Sequence, residues 1–278
     1  EFADLFIKPL GETSDIVTKE NYIFNDRSNN TLMLRPEGTA GIVRAIINAG
    51  LTQSLPQRLY YYGPMFRYER PQKGRLRQFH QFGAELLGIE SFLGDVEVIK
   101  LGYAFLRKLN LLNKTVLHVN SLGDIESRLK YRNEIISYFE KYKNDLSQES
   151  RIRLLKNPLR ILDSKDANDK DIIEGAPEFS NFLNFNSKEY FENVCKSLEA
   201  LQIPFSIDQK LVRGLDYYSH TTFEFKTGSL GAQDTILAGG RYDGLSKMIS
   251  NFNIPGVGWA AGIERISLMI QRKYSFAP

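Results

Sequence analysis

The chain has 278 residues, 42% hydrophobic and 25% charged, with a formal net charge of +3. That is ordinary globular composition, and it suffices for one large domain or a domain carrying an insertion. No apolar run approaches a bilayer-spanning length, EFADLFIKPLGE lacks the basic-then-apolar pattern of a secretory signal, and the single Cys195 leaves no internal disulfide or Cys/His zinc cluster, so a reducing, cytoplasmic setting is expected. The mild positive charge permits a nucleic-acid partner without arguing for one.

Tyr22–Phe24 and Thr31–Leu34 read as a hairpin turning at Ser28, Asn29 and Asn30. Arg35 to Thr39 then lead into a helix from about Ala40 to Ala49. Its apolar positions Ile42, Val43, Ile46 and Ile47 have helical spacing, and Gly50 stands where a C-terminal cap belongs. Glu37 and Thr39 fall in the loop before it. They are functional groups on a loop, or a helix cap with a carboxylate near the helix dipole; pattern alone leaves both open.

The densest stretch is RLYYYGPMFRYERPQKGRLRQFHQFGAE. Segments near Leu59–Tyr68 and Arg77–Leu86 predict two strands rich in Tyr, Phe and Leu. The ERPQKGR between them, with Pro, Gly and little apolar content, predicts a mobile loop. Arg67, Arg70, Lys73, Arg75 and Arg77 stand there against one carboxylate, Glu69. Such loops are often merely solvated. Yet Arg67 lies within the first strand pattern, and His80, Gln81 and Glu85 lie within the second. Arginine forks beside a rigid sheet suit a polyphosphate.

Gly94–Leu109 predicts a helix and Lys114–Asn120 a strand. From about Gly123 to Gln202 the chain turns rich in Lys, Glu, Asn and Asp with helical patterns, as in IESRLKYRNEIISYFEKY, and reads as an inserted helical subdomain or as a helical extension of the main sheet. Arg128, Lys130, Arg132, Arg151, Arg153 and Lys156 there are phosphate contacts or solvated helix faces. Strand character returns at Phe205–Lys210 and at Thr221–Phe225, after LVRGLDYYSH. GSLGAQD reads as a turn before strand Thr235–Leu237, and the Gly-rich AGGRYDGL after it as a tight bend or a place where backbone approaches a ligand closely. Pro255 to Arg265 read as a strand entering a helix that runs to about Gln271. No P-loop, dinucleotide fingerprint or protein-kinase signature occurs.

GPMFRYERPQKGRLRQFHQFGAE resembles the second signature motif of class II aminoacyl-tRNA synthetases, in the form found in histidyl-tRNA synthetases. LRPEGTAGIVRA, NPLRILDSK, LVRGLDYYSHTTFEF, AGGRYDGL and PGVGWAAGIER resemble further motifs of that family, in the family's order along the whole chain. The resemblance implies an α+β fold: an antiparallel class II sheet flanked by helices, with a helical insertion. The implied division is 1–122 for the first part of the catalytic core, 123–203 for the insertion and 204–278 for the second part. The family's first motif, which builds its dimer interface, and its C-terminal anticodon-binding domain find no counterpart in the sequence, so dimerisation and tRNA selection by this polypeptide are left open.

The implied reaction is histidine plus ATP to histidyl-adenylate and pyrophosphate, with Mg²⁺, followed by transfer of histidine to the 3′ end of tRNA(His); a homodimer is expected for the family. Arg67, Arg213 and Arg265 would be catalytic. Arg67, Arg70, Arg75, Arg213 and Arg265 would hold ATP. Glu37, Thr39, Gln81, Glu85, Tyr217, Tyr218, Gly239 and Arg241 would form the histidine site, with Glu85 and Tyr218 on the two ring nitrogens, which suits a ring offering one donor and one acceptor. No protein metal site is implied. Two alternatives stand beside the enzyme: a histidine-binding regulatory subunit of ATP phosphoribosyltransferase, and a synthetase-like sensor domain. Both are expected to lose some of these arginines or pocket residues.

Overall fold

The computed structural model describes residues 1–11, 14–164, 166–211, 217–231 and 234–271. One edge of its sheet is the antiparallel pair β3 (Gln57–Phe66) and β4 (Gln78–Leu87), in register from Gln57 opposite Leu87 to Phe66 opposite Gln78. Beyond them lie β5 (Val116–Ser121), β6 (Ser206–Ile207), β7 (Ser219–Lys226), β8 (Thr235–Arg241) and β9 (Gly256–Gly262). Among the described residues the seven form one sheet in the order β3-β4-β9-β8-β7-β5-β6. Every pairing is antiparallel except β5 with β6. A separate hairpin joins β1 (Ile23–Asn25) to β2 (Thr31–Met33), its turn held by the Asp26 carboxylate, which accepts from the Ser28 and Asn30 amides.

Side chains alternate across a sheet, and that alternation divides it into two unlike faces. Phe82, Ala84 and Leu86 of β4, Val257, Trp259 and Ala261 of β9, Leu237 of β8, and Phe223 and Phe225 of β7 pack in one cluster with α4 (Phe92–Lys108), α8 (Phe185–Ala200) and α10 (Ile263–Gln271). Trp259 anchors it: nearly inaccessible, it donates its indole N–H to the Val98 carbonyl at 3.1 Å. On the other face the same strands carry Gln81, Gly83 and Glu85, then Gly258, Ala260 and Gly262. Small residues there leave a floor to be covered. A second cluster, from α1 (Asp4–Leu10), α2 (Asp15–Thr18), α3 (Thr39–Asn48) and α9 (Leu245–Ile249), closes one end of that face.

The expected helical subdomain divides between two cores. Tyr131, Ile135, Phe139, Leu154, Ile161 and Ile173, from α5 (Ile125–Lys141), α6 (Gln148–Lys156), a 3-10 turn (Pro158–Asp163) and α7 (Ala167–Glu174), form a cluster of their own. Phe191, Val194 and Leu198 of α8 belong instead to the sheet cluster. The last helix of the expected subdomain is thus a helix of the sheet layer.

Two local expectations change. The charged stretch after β3 is not an open loop. Arg67 lies one residue beyond the strand; its amide donates to the Arg77 carbonyl, Gln72 and Arg75 bridge, and the Arg77 guanidinium lies 4.1 Å from the Tyr68 ring centre. Ala238 to Arg241 are not a turn but the continuation of β8, because Gly239 meets β9 closely: a Cβ there would fall 2.1 Å from the Gly258 carbonyl oxygen.

Candidate active site

The small-residue floor underlies a cavity of about 240 Å³ whose walls come from β3, β4, β7, β8, β9, the start of α3, the hairpin after β3 and the start of α10. Tyr61 of β3 lies across it. Its ring occupies the space that Cβ atoms would need at Gly38 and Gly83, 2.3 and 2.2 Å away, so two glycines are required for one aromatic wall.

One end is acidic and phenolic. Glu37 sits just before α3 and accepts from the backbone N–H groups of Thr39 (2.6 Å) and Ala40 (3.0 Å), so it caps the helix while lining the cavity. Glu37 is thus a helix cap that also faces the cavity. Thr39 turns its hydroxyl to Glu85 Oε1 at 2.8 Å, and the Tyr242 hydroxyl donates to Glu85 Oε2 at 2.5 Å. Glu85 and Glu37 are both buried. Burial raises Glu37 above the usual carboxylate range and pushes Glu85 up to about 8, against the lowering effect of the hydroxyls that bond it. Tyr217 and Tyr218, with ring centres 4.7 Å apart, complete this end. Gln81 is on the same face of β4, four residues from Glu85 or about 13 Å along the strand. Among the described residues its buried side-chain oxygen has no hydrogen-bond partner.

The other end is cationic. Arg67, Arg75 and Arg265 all line it. Arg67 Nε donates to the Pro36 carbonyl at 3.0 Å. Arg75 pairs with Glu69 and lies 3.4 Å from Glu20. Arg265, first turn of α10, donates to the carbonyls of Gly74 and Thr235, each at 2.7 Å. Burial lowers its pKa, and the like charges of Arg67 and Arg75 lower it further. Three guanidiniums brought together, Arg67 and Arg265 by backbone carbonyls and Arg75 by the Glu69 and Glu20 carboxylates, favour an anion between them.

The structure does not gather every expected residue. Arg70 is exposed and outside the cavity wall. Gly239 packs on Trp259 and Phe223, on the core face. Arg241 shares that face by alternation. Its guanidinium is fully buried against Asp95 of α4 at 2.6 Å, with Asp243 at 2.9 Å and the carbonyls of Ile89 and Ser91. It braces the sheet on α4 rather than facing the cavity. Arg213 lies outside the described residues, as does Asp216. Sequence reasoning missed Tyr61, Glu69, Glu224 and Tyr242. Tyr242 had a signal, since it stands in the Gly-rich motif. Tyr61 needed the strand register before its facing glycines could be seen.

The family model for histidyl-tRNA synthetase matches residues 1–266. A histidine–tRNA ligase of Rhodospirillum rubrum is 56% identical over 278 residues, all of this chain and 67% of that protein. One from Gluconobacter oxydans is 52% identical over 266 residues, 96% of this chain and 64% of its own length. The crystal structure of apo S. aureus histidyl-tRNA synthetase superposes with a TM-score of 0.76 at 34% identity, covering 100% of this chain and 64% of that one. This chain spans about two thirds of the length of the curated relatives it matches. With the family model matched over nearly its whole length and the cavity built from the family's motifs, the chain belongs to the histidyl-tRNA synthetase family.

Proposed function

We propose that the protein activates histidine with ATP and transfers it to tRNA(His), as a class II histidine–tRNA ligase. The observation that carries this reading is the polarity of the cavity: buried carboxylates and phenols at one end, three guanidiniums at the other. That is the complement of an amino acid lying head-on to a triphosphate. Glu37 and the Gln81 side-chain oxygen would be acceptors for the ammonium group. Glu85 and Tyr218 offer a carboxylate and a phenol to the imidazole nitrogens. A site built to bond both nitrogens rejects side chains that lack them, because its buried polar groups would then be left unpaired.

The chemistry asks mainly for position and charge. A histidine carboxylate oxygen attacks the α-phosphorus, and the bond from that phosphorus to pyrophosphate breaks. A terminal ribose hydroxyl of the tRNA then attacks the carbonyl carbon, and AMP leaves. Neither step requires a covalent enzyme intermediate. Arg67, with Arg213 by resemblance, would stabilise charge on the α-phosphate, while Arg265 and Arg75 would hold the outer phosphates. Mg²⁺ bound with ATP would neutralise phosphate charge, and Glu69, Glu224 and Glu264 are the carboxylates on that part of the cavity wall that would face it. The retained arginines favour catalysis over the regulatory alternative. The homodimer and the cytoplasmic setting rest on the family.

Histidine-dependent exchange of pyrophosphate into ATP tests this. Exchange is expected with histidine alone, falling about 10²- to 10³-fold in Arg67→Ala. A folded protein that does not exchange, whether or not it binds histidine, or that exchanges equally with another amino acid, overturns it.

A further inference from the structure

The helical layer reaches the amino-acid end of the cavity at one point. Arg128 of α5 donates from Nη1 to the main-chain carbonyl of Tyr218 at 2.7 Å, across 90 residues of sequence. The Tyr218 ring lines the cavity, and its own position is tight: a Cβ at Gly240 would fall 2.9 Å from it. The backbone just after it is irregular. Ser219 pairs with Arg241, but the register slips before Thr222, and His220 takes a φ of 46°. Left-handed backbone at a non-glycine residue costs energy, so something must hold it.

What holds it comes from the start of α5. His220 exchanges two main-chain hydrogen bonds with that segment, its N–H to the Gly123 carbonyl (2.8 Å) and its carbonyl from the Leu122 N–H (2.6 Å). Asp124 caps α5 by accepting from the Ser127 amide at 2.8 Å and is itself held by the Asn184 side chain at 2.6 Å. Asn184 in turn caps α8 through the Ser187 amide at 2.9 Å. The first turns of both helices are thus knotted together beside the bulge. Arg128, one turn into α5, extends that knot to Tyr218.

We infer that Arg128 is a positioning residue for the amino-acid end of the cavity: its hydrogen bond to the Tyr218 carbonyl carries the placement of α5 to the phenol. The inference rests on the histidine-activating reading above for what Tyr218 contacts. Arg128 is not among the described residues that line the cavity, and its hydrogen bond to the Tyr218 carbonyl is the route by which its loss is expected to act. The basic side chains of the helical layer were equally well read as solvated or as phosphate contacts; this one is committed inward.

Arg128→Met keeps the length and apolar stem and removes the charged donor; Arg128→Lys restores a donor. In pyrophosphate exchange, Arg128→Met is expected to raise the KM for histidine about tenfold, the scale of one charge-assisted hydrogen bond. KM for ATP should stay within about twofold, and Arg128→Lys should recover part of the loss. Hydrogen exchange of the intact protein is read in parallel. Amides of 217–222 should exchange faster in Arg128→Met while those of β3 and β4 do not change. Equal rises in both KM values, an unchanged histidine KM, or unaltered exchange at 217–222 overturns the inference. If the parent shows no histidine-dependent reaction, the functional reading fails instead, and hydrogen exchange still decides whether Arg128 holds Tyr218.

Discussion

Glu85 is the residue whose chemistry depends most on its surroundings. Burial pushes its carboxyl to about 8 from an ordinary 4.5, despite hydroxyl donors from Thr39 and Tyr242. Between those two values the folded protein keeps a proton that the unfolded chain has released. Stability therefore falls as pH rises through the window and is level above it. At about 1.4 kcal/mol per pH unit, the upper limit is about 5 kcal/mol. Glu85→Gln removes this titration but not the matching one of Glu37, whose carboxyl burial also raises. Urea midpoints at pH 5 and pH 8 should therefore differ more in the parent than in Glu85→Gln. Equal differences would mean that Glu85 ionises normally in the fold. The variant should also activate histidine poorly, since an amide offers the ring one fixed donor and one fixed acceptor where a carboxyl can adapt.

At the scale of elements, the floor of the cavity depends on what is missing from β9. A Cβ at Gly258 would lie 1.6 Å from Glu85 Oε2, an atom already bonded to Tyr242 and unable to retreat. Gly258→Ala is expected to cost about 2–3 kcal/mol by overpacking and to abolish histidine activation. Gly41, inside α3, has nothing within 4 Å of its would-be Cβ. There alanine should stabilise by about 0.5–1 kcal/mol and leave activity unchanged. Thermal melts with exchange assays check the pair; a stable, active Gly258→Ala would show that the floor has slack. These elements also show what sequence could convey. The aromatic flanks and Pro-Gly punctuation around Arg67 located β3 and β4 to within two residues, and helical spacing located α3 to within one. The alternation in GVGWAAG, small on one face and apolar on the other, was equally present. Its meaning required knowing that Gly258 lies opposite Glu85, and register across a sheet is a long-range fact. Arg241 misled for the same reason: a Gly-Gly-Arg-Tyr-Asp run reads as a turn until β9 is placed beside it.

Across the whole molecule, the separate clusters raise the question of whether it unfolds as one body. The sheet layer is braced through Arg241, whose removal in Arg241→Met would leave the Asp95 charge buried without its counter-ion, with the Tyr190 hydroxyl still donating to it, at a cost of about 3–5 kcal/mol. That loss should reach every strand, because β8 and α4 lie at the middle of the layer. The cluster of α5 to α7 has its own polar centre as well as its own apolar one: the buried Asp169 carboxylate accepts from the hydroxyls of Ser147, Ser150 and Ser164 at 2.5–2.8 Å. Phe139 is fully buried there. Phe139→Ala should cost about 3–5 kcal/mol, and the loss should be local. Hydrogen exchange is expected to quicken across α5, α6 and α7 while β4 and β9 keep their protection, and α8 should follow the strands because Phe191, Val194 and Leu198 pack on them. Parallel acceleration in β4 and β9 would show a single cooperative unit, with the link at Tyr218 strong enough to bind the layers into one.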